Sequence, residues 1–366
     1  WSSGYRTDSR DVSNIHALEK FQTACDELNA KVTYFVNHAV LANQTTARII
    51  CDLANRPNVE IGMHIHSWNT PPLNAETAVS EKESFLHNIP REIAIQKLQT
   101  VLDTFNENGL NPTSFRGGRY STSDWMQEFL HRNGIIADAS ILPFTTWPDD
   151  GAPDFRDRDL IPVRRDIQSG THGLWEIPLT LAYTKKPWTF WRNFYELGQE
   201  TPFRQLRMTA IAERLFIKRI WLNLEHPLGE HSTKLLQSLR TENLPCINFT
   251  LHSSSLVAGL NSYSPTDIHV SDLYNRLRTC ISKLNTWSEF QTATVTEVAK
   301  LMMKVLKQQV ISAKAFRRWK DGSCIDCPSQ PIPGREEEDD FVFTFFDDVR
   351  SNPSIVKLLL QTHHDM

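Results

Sequence analysis

Between residues 13 and about 307 the chain keeps switching between two kinds of segment, and that alternation limits the fold more than anything else in it. Short runs of β-branched and aromatic residues take turns with longer stretches whose apolar residues recur on one helical face. Ser13 is placed to cap a helix over 14–28, where Leu18, Phe21, Cys25 and Leu28 share a face. Lys31–Val36 then reads as a strand, 45–55 as a helix stopped by Pro57, and Val59–Met63 as a second strand. Pro90 suits the first turn of a helix reaching about 106, with Ala94, Leu98, Val101, Leu102 and Phe105 on its buried face and Gly109 closing it. The same reading gives strands at 114–116, 135–138, 174–179, 219–224 and 246–251, and a strand or turn at 290–295. Helices are predicted at 124–132, 203–218, 232–240, 270–284 and 296–307, with a long irregular stretch over 139–171. Strands alternating with helices at this spacing predict a mostly parallel sheet. About seven such units point to a (β/α) barrel more than to an open sheet.

Composition adds mainly exclusions. A net charge of −4 gives no electrostatic case for nucleic acid or an anionic membrane, and no apolar run is long enough to span a bilayer. The chain opens on Trp1, so its natural N-terminus is expected to lie upstream. Of the six cysteines, Cys25, Cys51, Cys246 and Cys280 sit in apolar segments as expected of free core residues, and only Cys324 and Cys327 have paired spacing. This usage predicts a reducing, cytoplasmic setting. From about Ala313 the pattern breaks down: a basic cluster at Arg317–Lys320, an acidic run over 336–340 and the apolar Phe341–Phe346 form an extension, 313–366, set apart from a domain over 1–312.

In parallel α/β folds chemistry gathers at the C-terminal ends of strands. His64, His66, Arg116, Asp138 and His252 all fall at such ends. His64 and His66 stand two apart in an extended segment, so both imidazoles face one side and form part of a site for a divalent transition metal, zinc above all. Two histidines at a strand mouth also have a plainer reading, as hydrogen-bonded polar residues. A catalytic zinc site takes three protein ligands and keeps one position open for water, which it activates as a nucleophile. His252 fits the acid that protonates a leaving group, or else is a satisfied histidine at a strand end. Arg116 can hold a carboxylate or a developing anion, or serve in a salt bridge. Asp138 can orient a partner or cap a turn.

The segments Thr33–Val36, Glu60–Trp68, Phe115–Tyr120, Asp138–Ser140 and Leu251–Ser254, in that order, resemble the polysaccharide deacetylase family, the NodB-type carbohydrate esterases. The likeness is greatest to the branch with a His-x-His-x-Trp segment followed by Pro-Pro. It extends to Ala152–Phe155 and Leu251–Leu256 and covers roughly residues 5–300. It implies a distorted barrel with fewer than eight strands. It also implies metal-dependent removal of N- or O-acetyl groups from a polysaccharide or glycoconjugate. By the resemblance His64 is a metal ligand, Arg116 braces a catalytic carboxylate and His252 is the general acid. A backbone N–H near Tyr120 would hold the tetrahedral anion, with Tyr120, Asp138 and Trp68 facing substrate. Two departures follow. Trp68 stands where the family places its second metal histidine, so His66 is the substitute. The acidic first strand of the family has no counterpart here, and Asp8, beside Asp11, is the nearest candidate for the catalytic base or a metal ligand. The expectation is a barrel whose first strand is missing, with an exposed sheet edge. The competing expectation is an incomplete barrel that binds a glycan or a metal without turnover. A zinc peptidase is disfavoured because no His-Glu-x-x-His occurs. Trp188, Trp191 and Tyr195 either line a glycan groove, together with 139–171, or pack internally.

Overall fold

A computed structural model describes residues 4–73, 76–165, 173–198, 217–226, 230–241, 244–288, 290–305 and 357–363. In chain order its elements begin with β1 (Tyr5–Arg6), α1 (Leu18–Glu27), β2 (Val32–Val36), α2 (His38–Ala42), α3 (Gln44–Ala54) and β3 (Val59–Ile65). There follow β4 (Ala78–Val79), α4 (Arg91–Glu107), β5 (Ser114–Gly117), α5 (Asp124–Arg132), β6 (Ala137–Asp138), β7 (Val163–Arg165) and β8 (Leu174–Glu176). The rest are β9 (Leu181–Tyr183), α6 (Trp188–Leu197), β10 (Arg219–Trp221), α7 (Glu230–Thr241), β11 (Cys246–His252), α8 (Asp267–Leu284), β12 (Gln291–Thr292), a helix over 295–305 called α9, and β13 (Lys357–His363).

These elements form a mixed α/β fold around a largely parallel central sheet of order β11-β13-β2-β3-β5-β6-β8-β7, with β12 also on β13. Among the described residues of this sheet, β7 alone runs antiparallel to its neighbour. Past β8 the backbone bonds continue: Leu222 N–H donates to the Thr180 carbonyl and Leu224 N–H to that of Thr250, each at 2.9 Å. β1–β4 is a separate small ribbon, and the β9–β10 ribbon continues into a bridge from Asn223 to Thr250 of β11.

The sheet has two buried faces. β2 gives Tyr34 and Val36 to the face covered by α1, α3 and α4, where Leu18, Phe21, Ile50, Leu98 and Phe105 pack. Alternation turns Phe35 to the other face, with Trp175, Ile177 and Cys246 and the α9 residues Val298 and Met302. Gly62 lies under Phe35, where a Cβ would come within 2.6 Å of the Phe35 ring. Below this apolar layer Glu60 accepts from Ser114 Oγ (2.5 Å), Thr33 Oγ1 (3.2 Å) and the Thr296 N–H (3.0 Å), which caps α9. One end of this face is thus plugged, and the C-terminal strand ends are left for the site.

Among the described residues the edge expected at β2 is covered. β13 pairs parallel with β2 on one side and β11 on the other, occupying the place of the strand expected to be missing. Its apolar Leu358–Leu360 run suits a strand with neighbours on both sides. The predicted helix over 203–218 lies almost wholly outside the described residues, as do Phe341–Phe346, Cys324 and Cys327. Cys25, Cys246 and Cys280 are free and buried, and Cys51 is free and partly exposed. Among the described residues no helix is long and apolar enough to cross a membrane.

Candidate active site

β3 and β5 pair so that His64 lies beside Arg116. The buried His64 ring places Nδ1 2.6 Å from the Arg116 carbonyl oxygen. A carbonyl only accepts, so Nδ1 carries the proton and Nε2 keeps its lone pair. That Nε2 lies 3.0 Å from Nε2 of the buried His66. Two imidazole nitrogens on one tetrahedral zinc stand roughly 3.3 Å apart, from zinc–nitrogen bonds of about 2.0–2.1 Å. The pair therefore fits two ligands of one metal. Among the described residues no group of three or more His, Cys, Asp or Glu gathers to hold a metal ion. Trp68 stacks on the far side of His66, ring centroids 4.3 Å apart and planes 10° from parallel.

The turn after β5 needs its glycines. A Cβ on Gly118 would meet the Ile65 carbonyl oxygen at 2.4 Å and His66 Cδ2 at 2.6 Å, and one on Gly117 would meet the Ser121 carbonyl oxygen at 1.9 Å. The next two residues, Arg119 and Tyr120, take left-handed backbone angles, φ 53° and 62°. That conformation costs roughly 1–2 kcal/mol per residue without glycine. Arg119 is tied down by Glu81 (2.6 Å) and Ser84 Oγ (2.5 Å) and lies 4.1 Å from the Phe85 ring centroid. The strained turn aims Tyr120 at the site, with the Arg116 guanidinium 5.6 Å from its ring centroid.

β11 delivers His252, and the chain just past β10 delivers Glu225. His252 Nδ1 lies 2.8 and 2.7 Å from the two Glu225 carboxylate oxygens, and the His252 backbone N–H donates to Oε1 at 2.9 Å. Asn223 Nδ2 donates to Oε2 at 2.8 Å, and Ser255 Oγ donates to Oε1. Burial pushes the Glu225 carboxyl up, but the charge and hydrogen bonds of His252 and the Ser255 bond more than offset it, leaving it below the ordinary value. An ionised carboxylate thus fixes His252 through Nδ1 and frees Nε2 for proton transfer. Tyr263 stacks parallel to the His252 ring at 6.2 Å.

These groups meet in one cavity of about 250 Å³, lined by His64, Arg116, Tyr120 and His252 and by Phe85, Gly117, Arg119, Trp147, Asp150, Trp221 and Tyr263. Trp147 stacks near Tyr120 (6.4 Å) and is 41% exposed at the mouth. Other sequence candidates lie elsewhere. Asp8 is an exposed turn residue paired with Arg6 (2.5 Å). Trp68 lines a second cavity beside Lys97 and Glu83. Asp138 is fully buried among Thr122 (2.7 Å), Ser140 and Gln127 (3.3 Å). Trp188, Trp191 and Tyr195 pack against the larger core cluster. The sequence reading did not single out Glu225, Trp147, Trp221 or Tyr263. For Glu225 the signal was present, an acid directly after the strand ending at Leu224.

No protein-family model matches the chain. A stretch of 72 residues, 20% of this chain, is 36% identical to the Dynein-1-alpha heavy chain, flagellar inner arm I1 complex, of Chlamydomonas reinhardtii, and covers 2% of that protein. A stretch of 61 residues, 17% of the chain, is 36% identical to Dynein axonemal heavy chain 10 of Homo sapiens and covers 1% of it. Among solved structures, a Mycobacterium smegmatis protein named as a polysaccharide deacetylase is similar over 46% of each chain, with 17% identity and a TM-score of 0.31. A 4-alpha-glucanotransferase from Thermococcus litoralis is similar over 54% of this chain and 26% of its own, with 14% identity and a TM-score of 0.30.

Proposed function

We propose that the chain is a metal-dependent hydrolase on a barrel-like α/β frame, removing N- or O-acetyl groups from a polysaccharide or glycoconjugate. One observation carries the reading: a single cavity is lined by His64 of the His64–His66 imidazole pair and by His252, whose partner is a buried carboxylate. His64 and His66 are the residues that would hold zinc. When bound, zinc supplies a Lewis acid for the acetyl carbonyl and lowers the pKa of water. The remaining work falls to the chain. Water adds to the acetyl carbonyl carbon, and Glu225 holds His252 so that its protonated Nε2 gives a proton to the leaving nitrogen or oxygen as the C–N or C–O bond breaks, yielding acetate and the free amine or alcohol. The Arg116 guanidinium, in the lining of the same cavity, would stabilise the negative charge that develops on the acyl oxygen. Trp147, Tyr120 and Trp221 offer ring faces to a sugar. The motif order that resembles the deacetylase family supports the same reading.

A binding protein without turnover is the second reading, favoured by the lack of a third metal donor beside the imidazole pair among the described residues. Acetate release from acetylated chitin oligosaccharides in the presence of zinc tests both. The enzyme reading expects release that His252→Ala abolishes while zinc stoichiometry stays unchanged. Equal release by that variant refutes the role of His252, and saturable oligosaccharide binding without acetate selects the second reading.

A further inference from the structure

The second cavity, of about 230 Å³, lies around the first two turns of α4 and shares no lining residue with the one that holds His64 and His252. Pro90, Ile93 and Lys97 line it from α4, spaced three and four apart on one helical face. Trp68, Val79 and Ile89 add to its apolar walls. Lys97 is 4% exposed. Helical side chains tilt toward the N-terminus of their helix, and its ammonium accordingly reaches back to donate to the Thr70 and Pro72 carbonyls, each at 2.5 Å.

The other polar side chains in the lining are already committed. The Thr7 hydroxyl donates to the Glu76 carbonyl and the Ser67 hydroxyl to that of Glu83, both at 2.7 Å. The Glu83 carboxylate only accepts, and its Oε2 takes the Ser80 N–H and hydroxyl at 3.0 and 2.6 Å. An ammonium has three hydrogens, and Lys97 spends two on carbonyls. Of these four side chains Lys97 alone keeps a donor to offer. Its charge is unmet as well. Among the described residues no carboxylate pairs with it, and burial alone pushes the ammonium down to about 8. A buried cation without a counter-charge is costly. Pro90 leads into α4 without a side-chain cap, so the helix dipole adds positive potential at the same end.

We propose that this cavity binds a small monocarboxylate with an apolar body. The carboxylate is taken by Lys97, and the body by the walls of Trp68, Val79, Ile89 and Ile93. Such a ligand supplies the two things Lys97 lacks, an acceptor and a negative charge. The site stands whether or not the metal-dependent reading holds, and it gives Trp68 a role beyond stacking on His66.

The test is calorimetric titration of the full chain with butyrate, benzoate and the uncharged benzamide, beside Lys97→Met and Ile93→Phe, with folding followed by circular dichroism and thermal melting. The expected result is saturable binding of butyrate or benzoate, with benzamide more than ~10-fold weaker, the least factor that a hydrogen bond to a charged group supplies. Lys97→Met should erase that preference. Ile93→Phe, at a half-buried wall position, fills the cavity and leaves the ammonium in place, and it should abolish binding. No binding of either carboxylate by the parent overturns the assignment, and so does equal affinity for benzoate and benzamide. Undiminished binding by a folded Ile93→Phe overturns it by putting the ligand elsewhere. A folded Lys97→Met that still prefers the carboxylate overturns it by moving the charge contact to another cation. Should Lys97→Met fail to fold, Ile93→Phe and the benzamide comparison decide.

Discussion

Two carboxylates near the C-terminal ends of strands are almost equally hidden from water, Asp138 at 0% and Glu225 at 4% exposure, and their pKa values are shifted in opposite directions. Burial pushes Asp138 up to about 6, the neighbouring Glu176 charge adds to this, and donors from Ser140, Thr122 and Gln127 only partly counter it. Glu225 is pushed up by burial too, yet His252 brings it below the ordinary carboxylate value. The nearest cations in the first cluster, Arg158 (3.0 Å) and Arg165 (2.9 Å), are paired with Glu176 and not with Asp138. Burial sets the cost of charge at both places, and the partner decides whether it is met. Only the second cluster has a member, His252, lining the cavity. The first is closed off from the cavity, and the second fixes an imidazole that reaches it.

The sharpest way to break this contrast is Glu225→Gln against Asp138→Asn. Glu225→Gln should cut acetate release about 10²–10⁴-fold, as expected when an imidazole loses the carboxylate that orients it, with zinc stoichiometry unchanged. Asp138→Asn should leave release within about tenfold of the parent, since Asp138 reaches the cavity only at second hand, through Ser140, whose Oγ accepts from the Gly117 N–H. Similar losses in both variants would abolish the distinction.

Stability should separate the clusters next, with opposite signs. Asp138 has a folded pKa of about 6, above its ordinary 3.8. Its contribution is therefore full below the unfolded value and is lost as pH rises through about 6. A shift of about two units corresponds to about 3 kcal/mol. Denaturant midpoints of Asp138→Asn should change less between pH 4 and 7 than those of the parent, and matching slopes would reject the assignment. Glu225 behaves in reverse: its contribution is present above the unfolded value and lost as pH falls through its lowered folded pKa. Glu225→Gln should remove that acid-side decline.

Two smaller effects bear on the turn and the rim. Gly118→Ala should cost about 1–3 kcal/mol in stability, the ordinary range for overpacking, because its Cβ meets backbone at 2.4 Å and the His66 ring at 2.6 Å. The same variant should weaken zinc binding, and unchanged affinity would detach the turn from the imidazole pair. Trp147→Ala should leave the melting temperature within error and weaken oligosaccharide binding by about 0.5–1.5 kcal/mol, the range for one stacked ring. Unaltered affinity would remove the exposed indole from the binding face.

Much of the frame was legible because local periodicity carried it. The apolar spacing predicted a helix over 124–132, and α5 has those bounds; the one over 45–55 is α3 shifted by one residue. The alternation in β3 placed His64 and His66 on one face, and their rings meet. Asp138 shows where that logic stops. It is at a strand end as read, but Ala137 and Ala139 take the face shared with Phe35, and a one-residue step turns the carboxyl to the other side. Glu225 was passed over because its meaning depends on a histidine 27 residues away. β13 escaped notice because seven residues rich in leucine, within a stretch of shifted composition, have no local mark of a central strand.

What the sequence determined by itself was the alternation of strand and helix, the parallel sheet that follows from it, and the strand ends that hold His64, His66, Arg116 and His252. These rest on residue type and spacing, which act over a few neighbours. Tertiary structure alone decided which strand lies between β2 and β11, which carboxylate meets His252, and which buried acid is shifted up and which down. Those outcomes depend on pairing and charge contacts between residues far apart in the chain, and no local pattern encodes them.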